Sequence, residues 1–279
     1  MEVSVAIVVV LYNPTKEQIE SMSALSHSTI DGYLLNYILV DNSCEENVVN
    51  QHSNLLYIYN NGNIGIAAAQ NRGVETAKSL GCDYVLFFDQ DSEYEVDMVA
   101  KMVAEYRAIK QYDSHIAMLG PLIVDKETSQ VYKNSISTDT IVTKVDTIIS
   151  SGSIVEVATF DIVGNMDEKL FIDLVDHEWC WRAKQRGYNC YQSSSVVLQH
   201  KVGNCSRTLC GYPIIISAPF RYYYKYRNLL WLLRRSYVPF GWKVKSVVRK
   251  IIELLCVPVM AKDRTIYSHI FRGIKDGLK

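Results

Sequence analysis

The 279-residue chain has no apolar run longer than about eight residues, the longest being Val5–Tyr12. A membrane-spanning helix needs roughly 20, so no transmembrane segment is expected. The chain opens Met1-Glu2-Val3-Ser4, with an acid where a secretory leader carries lysines, and the expected location is cytoplasmic. Cysteine lacks pattern: there are 7, an odd count, with no CxxC. That argues against a disulfide framework, and the Cys205 and Cys210 pair, without a second pair, reads as ordinary thiols. No strand is followed by GxGxxG, which disfavours a dinucleotide fold. With 6 prolines, 14 glycines and no low-complexity stretch, collagen-like and disordered classes are excluded.

What is present suffices for a large core. Hydrophobic residues make up 48% and charged residues 21%, so one large domain or two smaller ones can fold without a covalent staple. The net charge of −1 conceals an asymmetry. Residues 220–279 hold 14 Lys/Arg and 3 Asp/Glu, a net of +11, and residues 1–219 carry the balancing −12. An acidic body with a basic tail points to an anionic partner.

Val3–Leu11 is a continuous β-branched run ended by Asn13-Pro14, as in a strand buried on both faces. Pro14 suits the start of a helix over Thr15–Ala24. Further strands are expected at Tyr37–Val40, Leu55–Tyr59 and Tyr84–Phe88, with helices near 64–80 and 95–110. The alternation predicts a mostly parallel sheet, whose ligands bind at the strands' carboxyl ends. Asn13, Asp41-Asn42, Asn61–Asn63 and Asp89–Asp91 all fall there. Beyond residue 115 short strands are expected at 116–119, 122–124, 141–149, 154–158 and 196–200, with a helix at Val175–Gln185. From Phe220 the chain reads as helical and basic, with the boundary between Gly203 and Pro219. The division predicted is 1–205 for a catalytic domain and 206–279 for a helical basic extension.

Several clusters carry chemistry. Asp89 and Asp91 at a strand end can hold a hard divalent cation, Mg²⁺ or Mn²⁺, although a solvated turn reads the same way in isolation. The segment from Asn61 to Gly73 joins a strand to a helix with small residues on one face. Either backbone approaches a ligand there, with an anion at the helix start, or the helix packs tightly on the sheet. Asp41 can accept the imide N–H of uracil or thymine, or cap its own turn. Asp173, Asp176 and Glu178 crowd six residues, more acid than a helix start needs, and one of them can act as a general base. His200 ends an apolar strand and completes a metal shell only if Asp91 is a ligand.

Together these pieces resemble family 2 glycosyltransferases of the GT-A fold. The resemblance rests on Tyr12-Asn13, Val40-Asp41-Asn42, the turn from Asn63 to Gly73, Asp89-Gln90-Asp91 and the late acidic stretch, and spans roughly residues 3–203. Phe88–Ser92, Phe171–Arg182, Gln199-His200 with Gly203, and Ser217–Tyr224 with Arg227-Asn228 are similar to a bacterial rhamnosyltransferase-like subgroup. Ser43 directly follows Asn42, where many relatives place a glycine first.

The resemblance implies a metal-dependent inverting transfer of a sugar, L-rhamnose from dTDP-L-rhamnose, to a lipid-linked bacterial surface polysaccharide. A UDP-hexose donor and a non-catalytic nucleotide-sugar-binding subunit are the alternatives. Asp41, Tyr12 and Asn13 would line the nucleotide, Asp89 the ribose or the metal, and Asp91 with His200 the metal. Asn63, Gly65, Asn71, Gln90, Asp173 and Trp179 are placed at the substrate, as are Ser151 and Gly152. Asp176 is the expected base, with Glu178 or Asp173 in reserve. A nucleotidyltransferase would want a Gly-rich basic loop after the first strand, which Tyr12-Asn13-Pro14-Thr15 does not supply.

In the tail, Val244, Val247, Val248, Ile251, Ile252, Leu254 and Leu255 fall largely on one helical face, with Lys243, Lys245, Arg249 and Lys250 mainly off it. A basic amphipathic helix suits an anionic membrane, peripherally on the inner face; packing on the body or in a homodimer is the competing expectation. Nucleic acid is disfavoured, because no recognised motif accompanies Tyr222–Tyr226.

Overall fold

The computed structural model describes residues 2–125, 141–200, 206–209, 212–261 and 263–279, with backbone alone for 125, 200, 206–209, 212–215, 258 and 259. Strands β1 (Val3–Leu11), β2 (Tyr33–Asp41), β3 (Leu55–Tyr59), β4 (Tyr84–Asp89), β5 (Ile116–Asp125), β6 (Val142–Val145), β7 (Ile154–Glu156) and β8 (Asn189–His200) form one sheet in the order β3-β2-β1-β4-β7-β5-β8-β6. The first four of that order run parallel. β7 is antiparallel to both its neighbours and β6 to β8, while β5 and β8 are parallel.

The apolar run Val5–Leu11 of β1 has a direct cause. Val3, Val5, Ile7, Val9 and Leu11 face one core, and Ala6 and Val8 face the other. A strand covered on both faces needs apolar residues at every position. Helix α3 (Asp97–Tyr112) covers the first face through Met98, Val99, Met102, Val103, Tyr106 and Ile109. Helices α2 (Ile66–Ser79) and α5 (Val175–Gln185) cover the second, which also takes in Phe160 of α4 (Thr159–Val163).

Some boundaries differ from expectation for local reasons. Pro14 lies outside α1 (Lys16–Ser26): Thr15 is the cap, and its hydroxyl and the Gln18 amide form a reciprocal capping box. The two short strands expected around residue 120 are one strand, with a register shift between Gly120 and Leu122 where Pro121 cannot donate. β8 begins seven residues before the expected Val196, and two of its added serines are bonded to α3. Ser193 and Ser195 both donate to the Glu105 carboxylate at 2.9 Å.

The tail forms α6 (Pro219–Leu233), α7 (Phe240–Met260) and α8 (Thr265–Leu278), with a two-stranded ribbon of β9 (Ser206–Leu209) and β10 (Tyr212–Ile215) before them. Gly273 of α8 lies so close to the Tyr223 carbonyl of α6 that a Cβ would sit 2.3 Å from its oxygen. Helix α6 also packs into the body, where Trp231 meets the second core, Leu232 packs with Trp181 of α5, and Asn228 is fully buried. The expected cut at residue 205 therefore separates elements that share contacts.

Gly73 shows that small residues in α2 serve packing: a Cβ there would lie 2.3 Å from Val8 Cγ1 of β1. Gly73→Ala is expected to cost about 1–3 kcal/mol in urea unfolding, and adding Val8→Ala to recover part of it, because the clash lies between those two side chains.

Candidate active site

The carboxyl ends of β1, β2, β3 and β4 lie side by side, and their polar residues bind one another. Asp41 is fully buried. It accepts from the Ser43 N–H at 2.8 Å, the Asn47 amide at 2.7 Å and the Tyr57 hydroxyl at 2.6 Å. Burial pushes its carboxyl upward, but those donors outweigh burial and hold it below the ordinary carboxylate range. Asn13, at φ 47°, donates its N–H to the Ser43 hydroxyl at 2.8 Å. Asn42 accepts from Asn60 and donates to the Gly65 carbonyl. Gln90 accepts from the Tyr12 N–H at 2.7 Å and donates back to the Tyr12 carbonyl at 3.3 Å, which ties the Asp89–Asp91 turn to β1. Tyr12 itself is 48% exposed.

Ser151 joins the next two pieces. Its hydroxyl pairs with that of Ser92 at 2.9 Å, and the neighbouring Ser150 N–H donates to Asp176 Oδ2 at 3.2 Å. Gly152 (φ 75°) donates to the Phe87 carbonyl of β4, with Pro121 and Leu198 where a side chain would go. One short segment thus spans from the β4 turn to α5.

The turn before α5 is strained. Phe171, Asp173 and Leu174 all have positive φ, between 66° and 68°, and none is glycine. Asn228 of α6 holds it by donating to the carbonyls of Leu170 (2.9 Å), Ile172 (2.8 Å) and Asp173 (3.0 Å). Arg227 adds bonds to the carbonyls of Lys169 and Leu170. The Phe171 carbonyl accepts from the Ile66 and Ala67 N–H groups. The start of α2, considered as an anion site, therefore has two of its first amides taken.

Partners distinguish the three clustered acids. Glu178, expected as catalytic, is 1% exposed and enclosed by Arg182, Arg235 and the Tyr237 hydroxyl. Burial first and Glu178 second push that phenol up to about 12. Two arginines neutralise this carboxylate, and of the three acids it alone stays out of the cleft that Asp173 and Asp176 line, which removes Glu178 from the candidates. Asp173 pairs with Arg221 of α6. Asp176 Oδ1 accepts from the His177 N–H (2.8 Å) and faces His177 Nδ1 (2.9 Å); Oδ2 receives the Ser150 N–H. Burial opposes its ionisation, but His177 prevails and lowers it; burial likewise opposes the imidazolium, and Asp176 raises it.

Asp89, Asp173 and Asp176 line one cleft of about 600 Å³ together with Gln70, Ser150 and Arg221. Its far wall is α7, through Trp242, Ser246, Arg249, Lys250 and Glu253. Lys225, also lining it, is pushed down to about 8 by burial and then by Lys250.

Other expected substrate residues lie elsewhere. Asn71 is buried, with its amide paired to the Met166 backbone and to Glu168. Trp179 is fully buried and donates to the Gly164 carbonyl. Asn63 caps the Gly65 N–H, and a Cβ on Gly65 would lie 2.6 Å from the Phe171 ring. These four hold the scaffold in place. Asp89 and Asp91 stand together at the end of β4, Asp91 exposed; the side chain of His200 lies outside the described residues. Among the described residues no third His, Cys, Asp or Glu completes a metal cluster with the two aspartates. Sequence reading missed Asn47, Tyr57, His177 and Lys225; of these only His177 stands next to its partner in the chain, Asp176.

A family model for glycosyl transferase family 2 matches residues 6–159, more than half of the chain. The chain belongs to glycosyl transferase family 2. The transferase is 33% identical over 231 residues to the dTDP-rhamnosyl transferase RfbF of Shigella flexneri, covering 78% of this chain and 76% of the relative. It also superposes on a crystal structure of GalNAc-T7 with UDP, GalNAc and Mn²⁺, with a TM-score of 0.55 and 16% identity. That match covers 76% of the transferase and 45% of the other chain, so the transferase spans less than half of that protein's length. At this identity the likeness shows the fold, GT-A. The family match ends before the acidic turn, so residues 160–279 carry no assignment from it.

Two outcomes are expected from the acidic turn. Asn228→Ala takes a side-chain donor from three carbonyls of a strained turn, of which Leu170 keeps Arg227. It should lower stability by about 2–4 kcal/mol in urea titration and depress transfer. For the Asp176–His177 pair, the Asp176 contribution is complete above pH 3.8 and is lost on acidification. The His177 contribution is complete below pH 6.5 and is lost as pH rises through its raised value. Thermal melts of His177→Ala should therefore fall furthest below wild type between pH 3.8 and 6.5 and converge toward it at higher pH.

Proposed function

We propose that this transferase moves L-rhamnose from dTDP-L-rhamnose, with inversion, onto a lipid-linked glycan of a bacterial surface polysaccharide at the inner face of the membrane. One observation carries the mechanism. Of the three clustered acids, Asp176 alone has a carboxylate oxygen, Oδ2, bonded to one backbone N–H and to no arginine, and it lines the cleft with Asp89. The relative that transfers rhamnose from a dTDP donor supports the choice of sugar and nucleotide.

Asp41 reads the base edge, with Asn47 and Tyr57 setting its carboxylate and Tyr12 and Asn13 bordering the nucleotide. Asp89 and Asp91 suit Mg²⁺ or Mn²⁺. They offer oxygen donors from two carboxylates, the set such ions take when water and diphosphate fill the other positions. When bound, the ion offsets negative charge growing on the leaving diphosphate. Asp176 takes the proton of the acceptor hydroxyl as its oxygen attacks the anomeric carbon, and the bond from that carbon to the diphosphate oxygen breaks. Asp173, paired to Arg221, orients the cleft floor, and Ser151 keeps Ser92 and the Asp89–Asp91 turn in register with Asp176.

Asp176→Asn is expected to cut transfer by about 10²-fold or more while leaving the thermal shift caused by dTDP with Mn²⁺ intact. Transfer at the wild-type rate would remove Asp176 from the mechanism. A shift larger with UDP than with dTDP would move the donor to a UDP-sugar, the nucleotide held by the GalNAc-T7 structure.

A further inference from the structure

Helix α7 is inverted relative to an ordinary surface helix. Its outward residues are Phe240, Val244, Val248, Ile251, Ile252 and Leu255, each between 43% and 80% exposed. At about 3.6 residues per turn these six fall within an arc of roughly 120° and extend over about 22 Å. Its cleft side is polar: Ser246, Lys250 and Glu253 line the cleft with Arg249 at its rim, Glu253 is 8% exposed, and only the last turns pack inward through apolar Leu254 and Val257. A surface helix normally turns its apolar stripe to the core. An exposed apolar band of this length calls for an apolar partner.

Charge decides which partner. Lys245 and Arg249 are exposed at one edge of the band. Helix α8, which packs against α7 through Ile266, Ile270 and Val257, adds exposed Phe271 and Leu278 among exposed Arg264, Arg272 and Lys275. Of the basic residues in 220–279, Arg221, Lys225, Arg227, Arg235 and Lys250 turn toward the cleft or the body, which leaves these exposed ones, Lys245, Arg249, Arg264, Arg272 and Lys275, around the band. A second copy of the chain would bring two such surfaces together, whereas an anionic lipid surface is complementary to one. Among the described residues no helix is long and apolar enough to cross a membrane, so α7 lies in the interface rather than through it.

We propose that the outward face of α7 seats the transferase on an anionic lipid bilayer. The same helix then borders lipid on one side and the Asp176 cleft on the other, which sets the cleft within about one helix diameter, roughly 10 Å, of the headgroups. This consequence rests on the reading of a lipid-linked acceptor; the docking surface does not.

The test is flotation of the full chain with vesicles of phosphatidylglycerol and phosphatidylethanolamine, and with pure phosphatidylcholine, at low and high salt. Wild type should float with the anionic vesicles and less so at high salt. Ile251→Glu with Leu255→Glu should reduce the bound fraction about tenfold or more, while the thermal shift with dTDP and Mn²⁺ stays unchanged. Both residues are exposed, so the unchanged shift also verifies folding. Undiminished flotation of the variant, or none by wild type, overturns the proposal. So does a wild-type dimer in light scattering that the variant dissolves without vesicle binding. Loss of the dTDP shift in wild type would instead overturn the donor reading and leave the docking surface standing.

Discussion

The Asn228 side chain is the constraint on which the site depends. Three residues before α5 adopt left-handed backbone, which costs each non-glycine residue of order 1 kcal/mol. One amide from α6 accepts no part of that strain passively: it donates to three carbonyls of the turn at once, with Arg227 beside it. The turn in turn places Asp173 against Arg221, starts the helix that carries Asp176, and presents the Phe171 carbonyl to the first amides of α2. Removing that amide loosens three elements together, because buried carbonyls need partners.

The rest of the site is a set of strand ends tied laterally. Gln90 fastens β4 to β1 through the Tyr12 backbone, Ser43 and Asn42 fasten β2 to β1 and α2, and Ser151 carries the linkage to the acidic turn. Parallel strands deliver their last residues to one edge, and side chains with both donors and acceptors convert that edge into a rigid rim. The acids within it are differentiated by their neighbours. Glu178 is enclosed by two arginines and a phenol, Asp173 is matched to one arginine, and Asp176 shares a histidine while still facing the cleft.

Helix α7 couples this chemistry to the outside of the molecule. Its charged side supplies a wall of the cleft and its apolar side faces away from the body. The inversion explains why residues of both kinds alternate through the tail at helical spacing, a pattern that a helix buried by its apolar stripe shares.

The parallel first half of the sheet, the polar strand ends and the family were legible in the residues. A strand covered on both faces must be apolar where it is covered, as Val5–Leu11 is, and the family pattern lies in short local motifs such as Val40-Asp41-Asn42 and Asp89-Gln90-Asp91. The roles of Asp173, Asp176 and Glu178 were not legible there, nor was the structural use of Asn71 and Trp179. Their partners stand 48 residues away at Arg221, 59 at Tyr237, 95 at Met166 and 15 at Gly164. The direction in which α7 turns its apolar face was equally hidden. Local sequence determines which backbone a segment adopts and where its chain bends. Only the tertiary structure decides which carboxylate is enclosed and which stays open, because that depends on donors brought from distant parts of the chain.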